Sequence, residues 1–203
     1  MIVKNFIKSP LDNNNYVLID EKSKEAVLFD CSEPCDDIMD YIVSMGAKLK
    51  YIFLTHGHFD HVLGVNYFRE KYNVPVYIYK DDKPLLNYIG DYISGASVPV
   101  VDDVIDEQSK FFIGSHQIKI IHTAGHSKGS ACFLVEDNLF SGDTLFFHTY
   151  GRTDLPTGSD EDMFESLTKL FSLLSDDVKV FPGHGKPTSI GAEKIRYNLR
   201  KDF

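Results

Sequence analysis

Cysteine is scarce: the 203 residues include three, Cys31, Cys35 and Cys132. An odd number rules out a closed disulfide framework, and the Cys31/Cys35 spacing is neither a Cys-x-x-Cys motif nor half of a four-cysteine zinc site. Reduced thiols in a cytosol are expected. Long apolar runs are also missing. No stretch reaches the roughly 20 apolar residues of a membrane span, and positions 1–15 alternate Lys, Asn, Ser and Pro with short apolar pairs, without the apolar core of a signal peptide. The expectation is therefore a cytoplasmic protein that neither crosses nor binds a membrane. Positive charge is in deficit, with 21 basic against 30 acidic residues and a formal net charge of −9. Such a chain repels phosphate backbones and anionic lipids, which excludes nucleic acid and makes a small molecule the default partner.

What is present is an ordinary globular composition, 43% hydrophobic and 25% charged, of a length that suits one full-sized domain over 1–203. No repeat, linker or low-complexity tract interrupts it. Short apolar runs at 16–19 and 26–29 flank a polar turn and read as a hairpin. Helical spacing marks 36–45, 62–72, 81–93 and 160–174. Further strands are expected at 51–54, 74–79, 111–113, 117–122, 130–135, 139–141 and 179–181. The stretches 94–108 and 146–158 read as irregular. Strand, polar loop, helix, strand is an α/β rhythm, and such folds keep their chemistry in the loops after strand ends.

The strongest local signal follows the strand at 51–54: Thr55-His-Gly-His-Phe-Asp-His61 packs three histidines and a carboxylate into one short loop. In extended backbone His56 and His58 project to one side, while Asp60 and His61, entering a helix, aim elsewhere, so one segment can feed two adjacent metals. A solvated polar turn is the bland alternative. Three later segments also put a ligand type after an apolar strand with glycine beside it: Thr123-Ala-Gly-His126, Ser141-Gly-Asp143 and Phe181-Pro-Gly-His-Gly185. Together they supply five histidines and two aspartates. These suit two divalent metals, one held by His56, His58 and His126 with an open position, the other by Asp60, His61 and His184, with Asp143 shared. Two such cations exceed the negative charge of two aspartates and a hydroxide, leaving positive charge for a developing oxyanion.

These motifs resemble the metallo-β-lactamase superfamily, whose pattern is Thr-His-x-His-x-Asp-His, a later Gly-His, a bridging Asp and a final Gly-His. The resemblance runs from about Tyr16 to Asn198 and implies an αββα sandwich, two mixed sheets flanked by helices. Within the superfamily the chain is most similar to short bacterial hydroxyacylglutathione hydrolase (glyoxalase II-like) proteins, through Gly151-Arg-Thr-Asp154 and Thr188-Ser-Ile-Gly-Ala-Glu-Lys194. This implies cleavage of a thioester, a 2-hydroxyacyl conjugate of a low-molecular-weight thiol, with Asp60 and Asp143 orienting the nucleophile. Two divalent ions are expected, zinc first, with iron or manganese also compatible with mixed His/Asp sets. Full-length glyoxalase II enzymes carry an extra C-terminal helical domain with basic residues for the glutathione carboxylates. None is expected after His184, so the thioester class is implied rather than glutathione itself. Arg152 falls where those enzymes have a substrate-binding lysine, and Asp154 where they have a tyrosine.

Other readings compete. Gly125-His-Ser-Lys-Gly129 fits the Gly-x-Ser-x-Gly elbow of serine hydrolases, but that motif needs a helix after the serine, and 130–135 reads as a strand. Ser127 is expected to shape the loop that holds His126. Iron-dependent persulfide dioxygenase shares the fold and a similar Gly-Arg-Thr-Asp segment, and its single iron would sit on His56, His126 and Asp143. Of the remaining histidines, His116 is expected at the surface and His122 in a supporting role. His148, with Arg152, is expected to line the substrate mouth. The sequence carries no signal of oligomeric state.

Overall fold

The structure is a computed structural model that describes residues 1–8 and 11–201, the last four as backbone. The expected domain span of 1–203 includes residues 9, 10, 202 and 203, which lie outside the described residues. The first half of the chain runs β1 (Ile2–Lys8), β2 (Asn13–Ile19), β3 (Glu25–Phe29), α1 (Asp37–Ser44), β4 (Lys48–Leu54), α2 (Phe59–Val62), α3 (Val65–Tyr72), β5 (Val76–Tyr79), a 3₁₀ helix (Lys80–Tyr88), α4 (Ile89–Tyr92) and β6 (Asp103–Ile105). Its strands form one sheet in the order β1-β2-β3-β4-β5-β6, antiparallel up to β3 and parallel from there on.

The second half runs β7 (Phe111–Ile113), β8 (His116–His122), β9 (Ala131–Val135), β10 (Asn138–Gly142), β11 (Leu145–Phe146), β12 (Thr149–Tyr150), α5 (Asp160–Leu173), β13 (Lys179–Pro182), β14 (Thr188–Ser189) and α6 (Ile190–Lys201). Here the sheet order is β14-β13-β10-β9-β8-β7, with β11 and β12 a separate small hairpin.

Period-2 alternation sorts the strand side chains into layers. From β2, Tyr16 and Leu18 face the opposite sheet and join Phe29, Phe53, Phe133 and Phe140 in a buried aromatic layer. Its tightest pair, Phe29 and Phe140, stacks at 3.9 Å between ring centroids. Val17 and Ile19 point outward and pack with Ile38 and Ile42 of α1 and Phe68 of α3. On the far side Cys132 and Leu139 meet Met163, Leu167 and Leu170 of α5. Helix, sheet, sheet, helix is the expected αββα sandwich. Both faces of β2, β3 and β9 are covered, which is why the runs 16–19, 26–29 and 131–135 within them are apolar without alternation.

Several elements differ from the sequence reading. β1 is a half-buried edge strand, and Lys4 and Asn5 break the apolar alternation that would have marked it. The helix expected over 62–72 divides into α2 and α3. The one expected over 81–93 is a 3₁₀ helix followed by a single α turn, with Pro84 inside it unable to donate a main-chain hydrogen bond. β6 lies within 94–108, and the β11–β12 hairpin overlaps the start of 146–158.

The topology brings the ligand-bearing loops together. β10 and β13 are parallel neighbours with Gly142 opposite Pro182, so Asp143 and His184 leave the same edge side by side. β4 delivers the Thr55 to His61 segment, and β8 leads into the loop carrying His126.

Candidate metal centre

The loop after β4 holds its first histidine through a relay of hydrogen bonds. The hydroxyl of Thr55 donates to Oδ2 of Asp30 at 2.8 Å, and its oxygen lies 3.0 Å from Nδ1 of His56. A carboxylate only accepts, so the Thr55 proton is committed to Asp30, and Nδ1 of His56 must be the donor to the hydroxyl. That tautomer leaves a lone pair on Nε2. The same logic fixes three more rings. His61 donates from Nδ1 to Asp30 at 2.9 Å, His126 from Nδ1 to the Arg152 carbonyl at 2.7 Å, and His184 from Nδ1 to the Leu11 carbonyl at 3.0 Å. Each presents Nε2 inward, the arrangement in which an outer hydrogen bond orients a metal-ligating imidazole.

Three groups of ligand atoms lie within 4.8 Å of one another: His56, His58 and His126; Asp60, His61 and His184; and His56, His61 and Asp143. Nδ1 of His58 is 2.8 Å from Nε2 of His126. Asp143 lies between the first two sets: Oδ1 is 3.4 Å from Nε2 of His61, and Oδ2 is 3.5 Å from Nε2 of both His126 and His184. Asp60 is held by the Asn13 amide, which donates to Oδ2 at 3.1 Å, with His184 3.4 Å away. Gly183 makes the approach possible, because a Cβ there would lie 2.2 Å from Oδ1 of Asp143 and 2.8 Å from Cε1 of His61.

The donor set fits a pair of cations. Nε2 of His56, Nε2 of His58 and Oδ1 of Asp143 are buried with no hydrogen-bond partner, an unusual concentration of unsatisfied atoms that a metal centre would account for. Electrostatics divide the cluster. Burial, reinforced by neighbouring imidazoles, pushes His56 well below its ordinary pKa and His58 down to about 3, so both are neutral and ligand-ready. Burial also opposes protonation of His61, but Asp143, Asp30 and Asp60 outweigh it and push that ring up to about 10. His184 is raised against burial by Asp60 and Asp143. Asp60 is held well below the usual carboxylate range, its burial overcome by His61, His184 and Asn13. The carboxylate side of the cluster thus calls for positive charge.

A cavity of about 670 Å³ opens over the cluster, within the usual range for small-molecule sites. Its floor is His58, Asp60, His126, Asp143 and His184, and its walls are Leu11, Phe59, Tyr92, Phe146, Leu155 and Arg152. Phe59 and Tyr92 stack at 5.5 Å.

All seven expected ligands are therefore brought together, and Arg152 is at the rim, its guanidinium bonded twice to Asp154 at 2.6 and 2.7 Å. His148 requires a correction. It lies near the turn of the β11–β12 hairpin, stacked on Phe147 at 3.5 Å, with its N–H bonded to Glu193. It lines a separate small pocket against α5 and α6, away from the metal-site cavity. Ser127 is fully buried and bonded to Asp82 and Ser130, and a strand follows its loop, so it is no nucleophile. His122 stacks on Tyr79 and donates to the Lys128 carbonyl, supporting the His126 loop. His116 is half-buried and pairs with Glu136.

Asn13, Asp30 and Asp82 escaped the sequence reading. A run of three asparagines opening a strand, where asparagine is disfavoured, is a signal for the first. A carboxylate directly after the buried β3 is a signal for the second. Asp82 carries none.

An αββα sandwich with two His/Asp sets at one edge defines a class of metal-dependent hydrolases. A family model described as the metallo-beta-lactamase superfamily matches residues 9–184, and the chain belongs to that superfamily. It is 33% identical to an uncharacterised protein of Mycobacterium leprae over 98% of this chain and 97% of that one. It is also 33% identical to a hydroxyacylglutathione hydrolase of Pelagibacter ubique, over 85% of this chain and 66% of the enzyme. Among solved structures, the BLEG-1 B3 metallo-beta-lactamase superposes with a TM-score of 0.85 at 31% identity, covering 96% of this chain and 97% of that chain. TTHA1623 in a di-iron-bound form gives 0.84 at 30% identity, covering 95% and 97%. ETHE1 from Myxococcus xanthus gives 0.78 at 28% identity, covering 96% and 82%. Among the described residues no helix is long and apolar enough to cross a membrane.

Proposed function

We propose that the chain hydrolyses a thioester, a 2-hydroxyacyl conjugate of a low-molecular-weight thiol, at a two-metal centre. One ion would be held by His56, His58 and His126 and the other by Asp60, His61 and His184, with Asp143 between them. The observation that carries the reading is the position of Asp143, whose two oxygens reach His126 of one set and His61 and His184 of the other. The similarity to hydroxyacylglutathione hydrolase supports the thioester class.

Divalent ions bound there would supply Lewis acidity and a water of lowered pKa. The chain's own groups do the rest. Oδ1 of Asp143, buried and without a hydrogen-bond partner, can accept a hydrogen bond from an attacking water and aim it at a carbonyl over the cavity floor. Asp60, fixed by Asn13, holds the second set in register. Leu11, Phe59, Tyr92, Phe146 and Leu155 exclude bulk water and pack against the non-reacting part of the substrate. A thiol leaving group with a pKa of roughly 8.5 departs as thiolate without a strong general acid. Zinc is the expected metal, with iron or manganese compatible. The substrate is taken to be a small molecule, since a net charge of −9 disfavours nucleic acid and anionic membranes.

A mononuclear iron persulfide dioxygenase is the second reading, favoured by the 3.5 Å approach of His126 to Asp143, with His56 as third ligand. One experiment separates the two. Protein purified without chelator is assayed for metal content, for hydrolysis of lactoyl thioesters and for thiol-dependent oxygen uptake. Two metals with hydrolysis support the first reading, and one iron with oxygen uptake replaces it.

A further inference from the structure

Asp82 sits in the first turn of the 3₁₀ helix Lys80–Tyr88, far in sequence from every histidine of the centre, and is completely buried. Its Oδ2 accepts from the N–H of Gly57 at 2.7 Å and from the hydroxyl of Ser127 at 2.7 Å, while Oδ1 accepts from the N–H of Gly129 at 2.6 Å. Gly57 separates His56 from His58, and Ser127 follows His126. One carboxylate therefore ties together the two loops that supply all three imidazoles of one set. The approach is so close that a Cβ on Gly129 would lie 2.3 Å from the Asp82 nitrogen.

A carboxylate is costly to bury without a cation beside it, and these partners are two backbone amides and a hydroxyl. Such a group fixes geometry. We propose that Asp82 is the positioning residue of the His56/His58/His126 set, holding the two loops at the spacing a shared cation needs. This rests on the reading that the set holds a metal. The second set does not depend on Asp82, because its side chains are oriented by Asp30, Asn13 and the Leu11 carbonyl.

Asp82→Asn tests this directly. An amide turns one acceptor into a donor, so at least one of the three donors facing it is left unpaired. Metal-free wild type and variant are titrated with cobalt(II) against a chromophoric chelator, with visible absorption distinguishing the three-imidazole set from the mixed one, and metal-free thermal unfolding is recorded alongside. The expected result is a 10- to 100-fold weaker affinity at the three-histidine set, as for other residues that orient metal ligands, with the Asp60/His61/His184 set unchanged. Equal affinities, or an equal loss at both sets, would overturn the role. If Asp82→Asn does not fold, Ser127→Ala removes one donor and keeps both amides. It should then weaken the three-histidine set alone, by a few-fold, and no selective loss overturns the role. A wild type that binds no cobalt at that set sinks the metal reading and the proposed function with it, a result distinct from failure of Asp82 alone.

Discussion

The buried carboxylate of Asp30 accepts a hydrogen bond from Nδ1 of His61 at 2.9 Å. It also accepts from the Thr55 hydroxyl that receives Nδ1 of His56. Asp30 therefore fixes one ring in each ligand set, where Asp82 serves one set only. Asp30→Asn should weaken both metals by about 10- to 100-fold, measured by chelator competition. A selective loss at one set would show that the Thr55 relay does not transmit orientation to His56.

The arrangement around Asp143 predicts a metal-to-protein ratio near two by elemental analysis. His58→Ala and Asp143→Ala should abolish hydrolysis, because both remove groups from the cavity floor, while Ser127→Ala, assayed with metal in excess to offset its few-fold weaker binding, should leave most of it. Covalent labelling of Ser127 by an active-site-directed phosphonate would count against the metal mechanism outright.

How far the sequence disclosed this centre depends on how each residue signals. Thr55 to His61 is dense and local, and Gly-His and Gly-Asp at strand ends repeat one pattern, so the seven candidate ligands that the fold brings together are legible in the sequence. Asp30 and Asp82 are harder to read, because each acts on partners about 25 residues or more away; Asp30 is marked only by its place directly after β3, and Asp82 by nothing. His148 failed for the opposite reason. Its proximity to Asp143 in the chain suggested the mouth, but the β11–β12 hairpin carries it against α6. In the fold, strands buried on both faces were plain, whereas the edge strand β1 lacked a clean period and the 3₁₀ helix imitated an α-helical pattern.

The cysteines give a prediction independent of metal. Cys31 and Cys132 are buried, and burial raises Cys31 well above its ordinary pKa and Cys132 to about 11. The half-buried Cys35 is pushed up to about 12, by burial first and then by its bond to Asp37. All three thiols should resist iodoacetamide in the folded protein at pH 8 and react after denaturation. The sign follows from the raised values: the folded state holds these protons more tightly, so stability is intact below the unfolded thiol range near pH 8.5 and falls as pH rises toward 11 to 12. Rapid labelling of Cys35 at pH 8 would contradict the burial argument.

Arg152 has two roles that can be separated. Its carbonyl orients His126, and a side-chain substitution leaves that bond in place. Its guanidinium lies at the cavity rim, exposed and bonded to Asp154, where it can meet a carboxylate or an amide of the carrier thiol. If it binds the non-reacting part equally in ground and transition states, Arg152→Ala should raise KM with little change in kcat. Loss of a charged hydrogen bond of about 1.5 to 3 kcal/mol corresponds to roughly 10- to 150-fold. Asp154→Ala gives the opposing arm: freeing the guanidinium should lower KM for a carrier bearing a carboxylate and leave an uncharged carrier unaffected. An unchanged KM in a folded Arg152→Ala variant would leave the Arg152–Asp154 pair as a loop fastening and move carrier recognition to the apolar walls. There Tyr92→Ala, which removes half of the Phe59–Tyr92 stack, should raise KM instead.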